Sequence, residues 1–386
     1  MIWDPAQTPG VQKAVDGFEA KYPKIKVSLQ QVPQDQYYTK LDASLGAGEG
    51  PDVMWQSSLA VQYATNGALE PLDKYIKQSG VKLSDYPAKI ANLYKFDGKQ
   101  YGIPKDQDTW TLVYNTAAFK KLGVTDVPTN DWTWDDMVKI AKELKAKQTT
   151  SDAPLFYDHQ FNFGVSSLIH SLGGTVVKAG KATVASPEGE KALGMIKSLQ
   201  DDGLITKIAD SADYNPVTAL ISGTAAMAEI PSWNLSLLSQ ASAPEGTFHA
   251  VRVPSVDGKA FTDTNGLSYV MNANSKNKDA AWKLIEFLTS TKGAELHAAG
   301  GAGIPANTAK SALDAFVGAN SKIVGLSAAL TAAQKQTYLR TSSEFPATRA
   351  SNPQIESTEM GPYWSGSISA SDATKGIDQI LDKALR

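Results

Sequence analysis

Strand-period and helix-period segments alternate from the first residues of this 386-residue chain, and that alternation constrains its fold more than any other feature. Val11, Val15, Phe18 and Tyr22 form a helical stripe that stops at Pro23, a residue that lacks the N–H a further turn needs. Ile25, Val27 and Leu29 then alternate with Lys24, Lys26 and Ser28 at strand spacing. Tyr37, Leu41 and Leu45 restore the helical period, Gly46-Ala47-Gly48 ends it, and Pro51 to Trp55 reads as the next strand. The rhythm predicts an open α/β sheet, in which ligands gather at the carboxyl ends of strands. Trp3-Asp4 and Trp55-Gln56 are expected at two such ends.

Farther along, Thr133-Trp134-Asp135-Asp136 has the pattern of a capping box and opens a helix through Val138, Ala141 and Leu144. Ser186-Pro187-Glu188 is a second start, with proline where its missing N–H costs nothing. Asn277-Lys278-Asp279 begins a third helix, carrying Ala281, Leu284, Ile285 and Leu288. The chain is longer than one hydrophobic core usually supports, so two domains are expected. No Pro/Gly/Ser-rich linker and no internal repeat separates them, which implies several short, hinge-like crossings.

Composition removes several classes of function. The formal net charge is −3 and no block of five or six Lys or Arg occurs, so neither nucleic acid nor an anionic membrane is an expected partner. The least charged stretch, Phe161 to Val177, contains Asn162, serines and His170 and is too polar to span a bilayer. Absence of cysteine removes disulfides, thiolate nucleophiles and zinc ribbons. The four histidines have no metal-ligand spacing, so neither a metal nor another cofactor is expected. There is no phosphate loop, Gly46 to Gly50 lacks the last glycine of a dinucleotide fingerprint, and Gly266-Leu267-Ser268-Tyr269-Val270 lacks the second glycine of a nucleophile elbow. Met1-Ile2-Trp3 has no basic leader before it and reads as a trimmed mature start, although a cytoplasmic protein begins the same way.

Aromatic residues are more informative. Of eight tryptophans, Trp3, Trp55, Trp110, Trp233 and Trp364 sit in segments that also carry Asp, Gln or Asn. A sugar presents an aliphatic C–H face and an equator of hydroxyls, so its site needs flat aromatic platforms with carboxylates and amides in the ring plane. Core packing is the competing assignment for each tryptophan taken singly. Asp106 and Asp108 are the paired carboxylates in the most suggestive setting, and they keep open an alternative: a glycoside-active enzyme.

The motifs together resemble a known family. Phe18-Glu-Ala-Lys-Tyr-Pro23, Tyr38-Thr-Lys-Leu41, Gly50-Pro-Asp-Val-Met-Trp55, Gly67-Ala-Leu-Glu-Pro-Leu-Asp73, Gly98-Lys-Gln-Tyr-Gly-Ile-Pro104 with Leu112-Val-Tyr-Asn115, Thr133-Trp-Asp-Asp136, Gly223-Thr-Ala-Ala-Met227 and Asn274 to Trp282 follow in the order found in extracellular solute-binding proteins of family 1, the maltose-binding-protein-like group of ABC importers. The resemblance covers essentially the whole chain. It implies a two-lobed, type II-like periplasmic-binding-protein fold of α/β class with three interlobe crossings, near Asp108 to Thr111, Thr262 to Gly266 and Thr308 to Ala315. The expected lobes are 1–108 with 266–310, and 109–265 with 311–386, the ligand cleft lying between them.

The same resemblance implies a binding role for particular positions and no catalysis. Trp233 has the family's spacing from Ala226-Met227, although Ile230 stands where relatives carry glycine and Ser232 intervenes before the tryptophan. Trp364 or Tyr363, in Gly361-Pro-Tyr-Trp364, supplies another platform, and Asn162 and Phe163 fall in a third contact stretch. In the first lobe Asp108 stands where relatives place an acidic sugar ligand, with Trp110 beside the crossing. Asp4, Gln7, Trp55 and Gln56 occupy strand ends, where capping and turn formation compete with ligand contact. Asn265 and Gly266 mark the second crossing, glycine there serving a hinge or a close backbone approach to ligand, and Arg349 is a rim candidate. The implied partners are a carbohydrate and the transmembrane permease subunits of an ABC transporter. The protein is expected to be a monomer working outside the cytoplasm, periplasmic or attached through a lipid anchor. A non-sugar solute is the remaining binding alternative; a phosphate ligand would need more cations than Lys105 and Arg349.

Overall fold

The computed structural model describes residues 1–206, 208, 215–340 and 347–385, the side chains of 347–350 excepted. Two compact units account for these residues: Met1–Asp108 with Asn265–Asn320, and 109–264 with 321–340 and 347–385. The chain therefore passes from one unit to the other at 108/109, 264/265 and 320/321. The last boundary lies ten residues beyond the expected 310/311, and the reason is helix Lys310–Ala319. That helix buries Ala312 and Phe316, packs on helix Thr291–Ala298, and is tied down by the Asn320 amide, which donates to Gly301 O at 2.9 Å and Phe316 O at 3.0 Å.

In the first unit, strand Ser268–Met271 runs antiparallel between Val53–Gln56 and Gly102–Pro104. The central strand is thus supplied by the returning chain, a placement that no local pattern encodes. Helices Thr8–Lys21 and Lys278–Thr289 pack on each other in this unit, burying Val11, Val15, Phe18, Ile285 and Leu288. The segment 24–30 differs from expectation. Its Ile25, Val27 and Leu29 keep their alternation, half-buried between exposed neighbours, but it forms no strand. Its end is held by Ile2, whose N–H donates to Gln30 O at 2.9 Å and whose carbonyl accepts from Val32 N at 2.9 Å.

In the second unit a five-stranded sheet centres on Trp110–Asn115, all six residues of which are buried. Met227–Pro231 and Phe248–Val251 flank it antiparallel, and Leu155–Phe156 and Ile323–Val324 add parallel edges. Strands buried on both faces read as unbroken apolar runs, as Leu112-Val113-Tyr114 does. Two helix starts form as their sequences require. Thr133 Oγ1 accepts from Asp136 N while the Asp136 carboxylate accepts from Thr133 N at 2.9 Å, and Ser186 caps Pro187–Asp201 by accepting from Gly189 N at 3.2 Å. Asn277 makes no such cap; its amide donates instead to Asp52, and the start of the third helix is held from outside. Among the described residues, no helix is long and apolar enough to cross a membrane.

Candidate functional site

The second unit brings three predicted aromatics together. Strand Met227–Pro231 pairs with Trp110–Asn115 so that Pro231 stands opposite Trp110. A short turn, Ser232–Asn234, then places Trp233 at the same end of the sheet as Trp110. Ser232, the residue that departs from the family spacing, fastens this turn: its N–H donates to Thr109 O at 2.9 Å. The Trp233 ring meets Trp110 edge-on at 5.6 Å, and Phe163 lies 5.1 Å from Trp110 and 6.4 Å from Trp233. Trp110 is buried with Val253 and Ala260, whereas Trp233 and Phe163 are half-buried. The buried ring therefore supports two rings that keep surface available for a ligand.

Three buried carboxylates and a half-buried one, Glu356, all absent from the sequence-based site, stand around this group. Glu229, on the Trp233 strand, accepts from Asp158 N at 3.1 Å; Asp158 accepts from Gln160 N at 2.8 Å; Glu356 accepts from Phe161 N at 2.7 Å. These bonds wire down the π-helical turn Phe161–Val165 that carries Asn162 and Phe163. Removal from water disfavours their charged forms, pushing Asp158 and Glu356 up to about 7 and Glu229 well above the ordinary range. Asp263 is raised for the same reason, opposed by Arg340, whose guanidinium donates to it at 2.7 Å and lies 4.8 Å over the Phe163 ring. Trp110 Nε1 is buried without an ordinary hydrogen bond, and the indole stands close enough to Asp263 to favour its ionised form. A cavity of about 10 Å³ between Trp110, Phe163 and Glu229 is at the lower limit for one water.

Asn162 is buried in the same turn. Tyr363 and Trp364 form a separate pair, rings 4.9 Å apart, with Trp364 edge-on to His159 at 6.4 Å. Both are buried, so they do not join Trp233 as an open platform. Arg349's side chain lies outside the described residues.

The first unit uses its polar candidates differently. Lys105 and Asp106 form an ion pair with side chains 1% and 4% exposed. Lys105 Nζ also donates to Gln7 Oε1 at 2.7 Å and sits 4.1 Å over the Trp55 ring, and Asp106 accepts from Leu267 N at 2.7 Å. Gln7 donates to Asp4, which also accepts from Ala6 N at 2.9 Å. Asp4 and Gln7 are thus engaged in local structure at the start of helix Thr8–Lys21, and Asp106 is occupied. Trp55, fully buried against Trp3, offers no face to a ligand. Gln56 is equally buried, yet neither of its amide atoms has a hydrogen bond of ordinary geometry, although the Tyr63 phenol stands within reach. Asp108 is only partly buried, and its N–H donates to Asn265 O at 2.8 Å. Gly266 permits a close approach, though to this unit's own backbone: a Cβ there would sit 2.3 Å from Asp106 O.

Residues 4–295 match the family described as bacterial extracellular solute-binding protein. The chain belongs to that family. A multiple sugar-binding protein of Streptococcus mutans is 27% identical to this solute-binding protein over 73% of this chain and 68% of its own length. Two solved structures share the fold: an ABC substrate-binding protein of Listeria monocytogenes in complex with cycloalternan (TM-score 0.85, 22% identity, 99% of this chain and 97% of that one), and the sugar-binding protein MalE of Xanthomonas citri (TM-score 0.82, 23% identity, 100% and 96%). The family is one of solute receptors rather than enzymes.

The carboxylates left no sequence signal as a group, because Asp158, Glu229, Asp263 and Glu356 are far apart in the chain. Two of them were nonetheless close at hand: Glu229 is inside the Ala226–Trp233 marker, and Asp263 is two residues from Asn265.

Proposed function

We propose that this solute-binding protein captures a carbohydrate, a small oligosaccharide by preference, and presents it to the membrane subunits of an ABC importer. The observation that carries the reading is the half-buried Trp233 ring, braced edge-on by buried Trp110 beside Phe163. Such a ring covers the C–H face of a sugar, and neighbouring amides and carboxylates serve its hydroxyls. The Streptococcus mutans relative and the Listeria complex support the ligand class. Asp108 is assigned to the same ligand, with closure of the two units on it shifting the hinge equilibrium by the ligand's preference for the closed state. No bond is made or broken in this reading.

The test is tryptophan fluorescence and melting temperature during titration with a panel of neutral oligosaccharides, monosaccharides and polyols. At least one saccharide is expected to change both, and Trp233→Ala to weaken its binding by roughly 2 kcal/mol or more, as for a central aromatic contact. Silence across every sugar would sink the carbohydrate assignment. Asp108→Ala, with the fold retained, is expected to cost binding about tenfold, near the value of a charged hydrogen bond; unchanged affinity removes Asp108 from the site. Appearance of new reducing ends during incubation would instead favour the glycoside-active alternative.

A further inference from the structure

Polar side chains around the cavity between Trp110, Phe163 and Glu229 fall into two classes. Ser167, Ser171 and Thr262 line it but are engaged: Ser167 Oγ with the Tyr338 hydroxyl at 3.3 Å, Ser171 Oγ with Ser167 O at 2.8 Å and Phe261 N at 2.9 Å, and Thr262 Oγ1 with Thr109 Oγ1 at 3.0 Å. Tyr157 and Glu229 line it too, and they are not. Glu229 spends one carboxyl oxygen on Asp158 N, while its other oxygen and the Tyr157 phenol have no hydrogen-bond partner among the described residues. The two residues are 4% and 5% exposed, and native interiors rarely leave such deeply buried groups unpaired.

Rigid elements hold this pair. Glu229 is in strand Met227–Pro231, in register with Leu112 of the central strand, and Tyr157 follows the edge strand Leu155–Phe156 of the same sheet, its ring edge-on to Trp134 at 5.2 Å. Gly164 lets the Phe163 turn close over them: a Cβ there would run into Asp158 O and crowd the Tyr157 ring at 3.1 Å. Burial, and then the neighbouring Glu229, hold the Tyr157 phenol protonated, and burial keeps the Glu229 proton on well above the ordinary carboxylate range. At neutral pH the pair therefore both donates and accepts. A hydroxyl answers both functions, an ammonium only donates, and a methyl does neither.

We infer that this cavity is a subsite for one hydroxyl, supplied by the exocyclic CH2–OH arm of the bound sugar or, without sugar, by water; the inference rests on the carbohydrate reading. A volume of about 10 Å³ admits one oxygen and no ring. The hydroxymethyl oxygen stands one bond farther from the ring than the other hydroxyls, so it reaches into the cavity while the ring stays on Trp233. Tyr157 and Glu229 are thus specificity-determining residues, favouring hydroxymethyl sugars over their 6-deoxy and pentose counterparts.

The experiment titrates glucose, galactose, mannose and their disaccharides, the 6-deoxy form of each, and xylose into the full chain and into Tyr157→Phe, which keeps the ring against Trp134 and removes only the hydroxyl. The 6-deoxy form of whichever sugar binds is expected to bind about tenfold or more weakly. Tyr157→Phe is expected to lose about tenfold for the hydroxylated sugar and little for its 6-deoxy form, and Glu229→Gln, which retains a donor and an acceptor, to stay within severalfold of the parent. Equal loss for both forms would mean a merely structural role and overturn the inference, as would undiminished 6-deoxy binding or binding confined to xylose. Crystal structures with and without sugar separate the two sources: a sugar oxygen between Tyr157 and Glu229 supports the subsite, and a water that stays there in both overturns it. Binding that needs Trp233 but ignores Tyr157 fails this inference alone, whereas silence across every sugar fails the carbohydrate reading and this inference with it.

Discussion

The two units carry the same kinds of candidate residue and treat them oppositely. In the first, charge is buried as a pair: Lys105 and Asp106 satisfy each other, Gln7 joins them, and Trp55 lies under the ammonium. In the second, carboxylates outnumber cations around the aromatic group: Asp158, Glu229 and Glu356 are held by backbone N–H groups, and Arg340 serves Asp263. An aromatic beside a polar residue at a strand end therefore has two outcomes. Where a cation is available to compensate, the cluster closes into core; where it is not, protons and backbone donors hold the acids and the rings stay partly open.

Removing the compensating cation is expected to have the largest effect. Lys105→Met leaves Asp106 buried with only the Leu267 amide as partner, and breaking a buried pair from one side typically costs about 3–5 kcal/mol. Urea unfolding should show that loss, and Lys105→Met/Asp106→Asn should recover much of it. A single variant as stable as the parent would mean that the pair is solvated and that the contrast between units is wrong.

A smaller effect, of opposite character, is expected in the second unit. The folded state holds protons on Asp158 and Glu356 up to about pH 7, whereas their ordinary values are 3.8 and 4.5. Between roughly pH 4 and 7 the native state thus binds more protons than the unfolded one. Stability from these groups is fully present below that window and is lost as pH rises through it. For Glu356, the residue tested, the change between pH 5 and pH 8 is roughly 2–3 kcal/mol. His159, pushed down to about 4 by desolvation, and buried His297 titrate with the opposite sign below about pH 6.5, so the comparison is with Glu356→Gln, which keeps an acceptor for Phe161 N: from pH 5 to pH 8 the parent should lose stability relative to that variant. A profile unchanged by Glu356→Gln would remove that residue from the titration.

What was legible in the sequence depended on range. Thr133 and Asp136, or Ser186 and Gly189, are three residues apart, and their caps formed because nothing distant competes for the first-turn amides. The alternation over Ile25–Leu29 was also real, yet a strand needs a neighbour and local period cannot supply one. Trp233 was legible through its spacing, and its brace was legible only as a tryptophan near a crossing. Burial of Asp158 and Glu229 is set by which segments fold over them, so nothing in their own neighbourhoods announced it. The third boundary slipped because Phe316 and Asn320 anchor helix Lys310–Ala319 to a surface far away in sequence.

Gln56 gives the finest test of the contrast, with the smallest effect. It sits in the unit whose buried ion pair is satisfied, at the end of strand Val53–Gln56, fully buried and with no hydrogen bond of ordinary geometry to either amide atom. The Tyr63 phenol donates to Asp42 while its oxygen stands within reach of the Gln56 amide N–H, so the Gln56 amide oxygen is the atom left short of a partner. A buried amide oxygen without a partner costs about 1–3 kcal/mol, and replacing the amide with an apolar group of similar size removes that cost. Gln56→Leu is therefore expected to stabilise the ligand-free protein by about 1 kcal/mol. If the amide is kept unsatisfied for a sugar hydroxyl, the same change weakens saccharide binding severalfold; if it is a packing residue, affinity stays as it was. Denaturation and titration on one variant separate these outcomes, because a residue serving only the core moves the first measurement and leaves the second still.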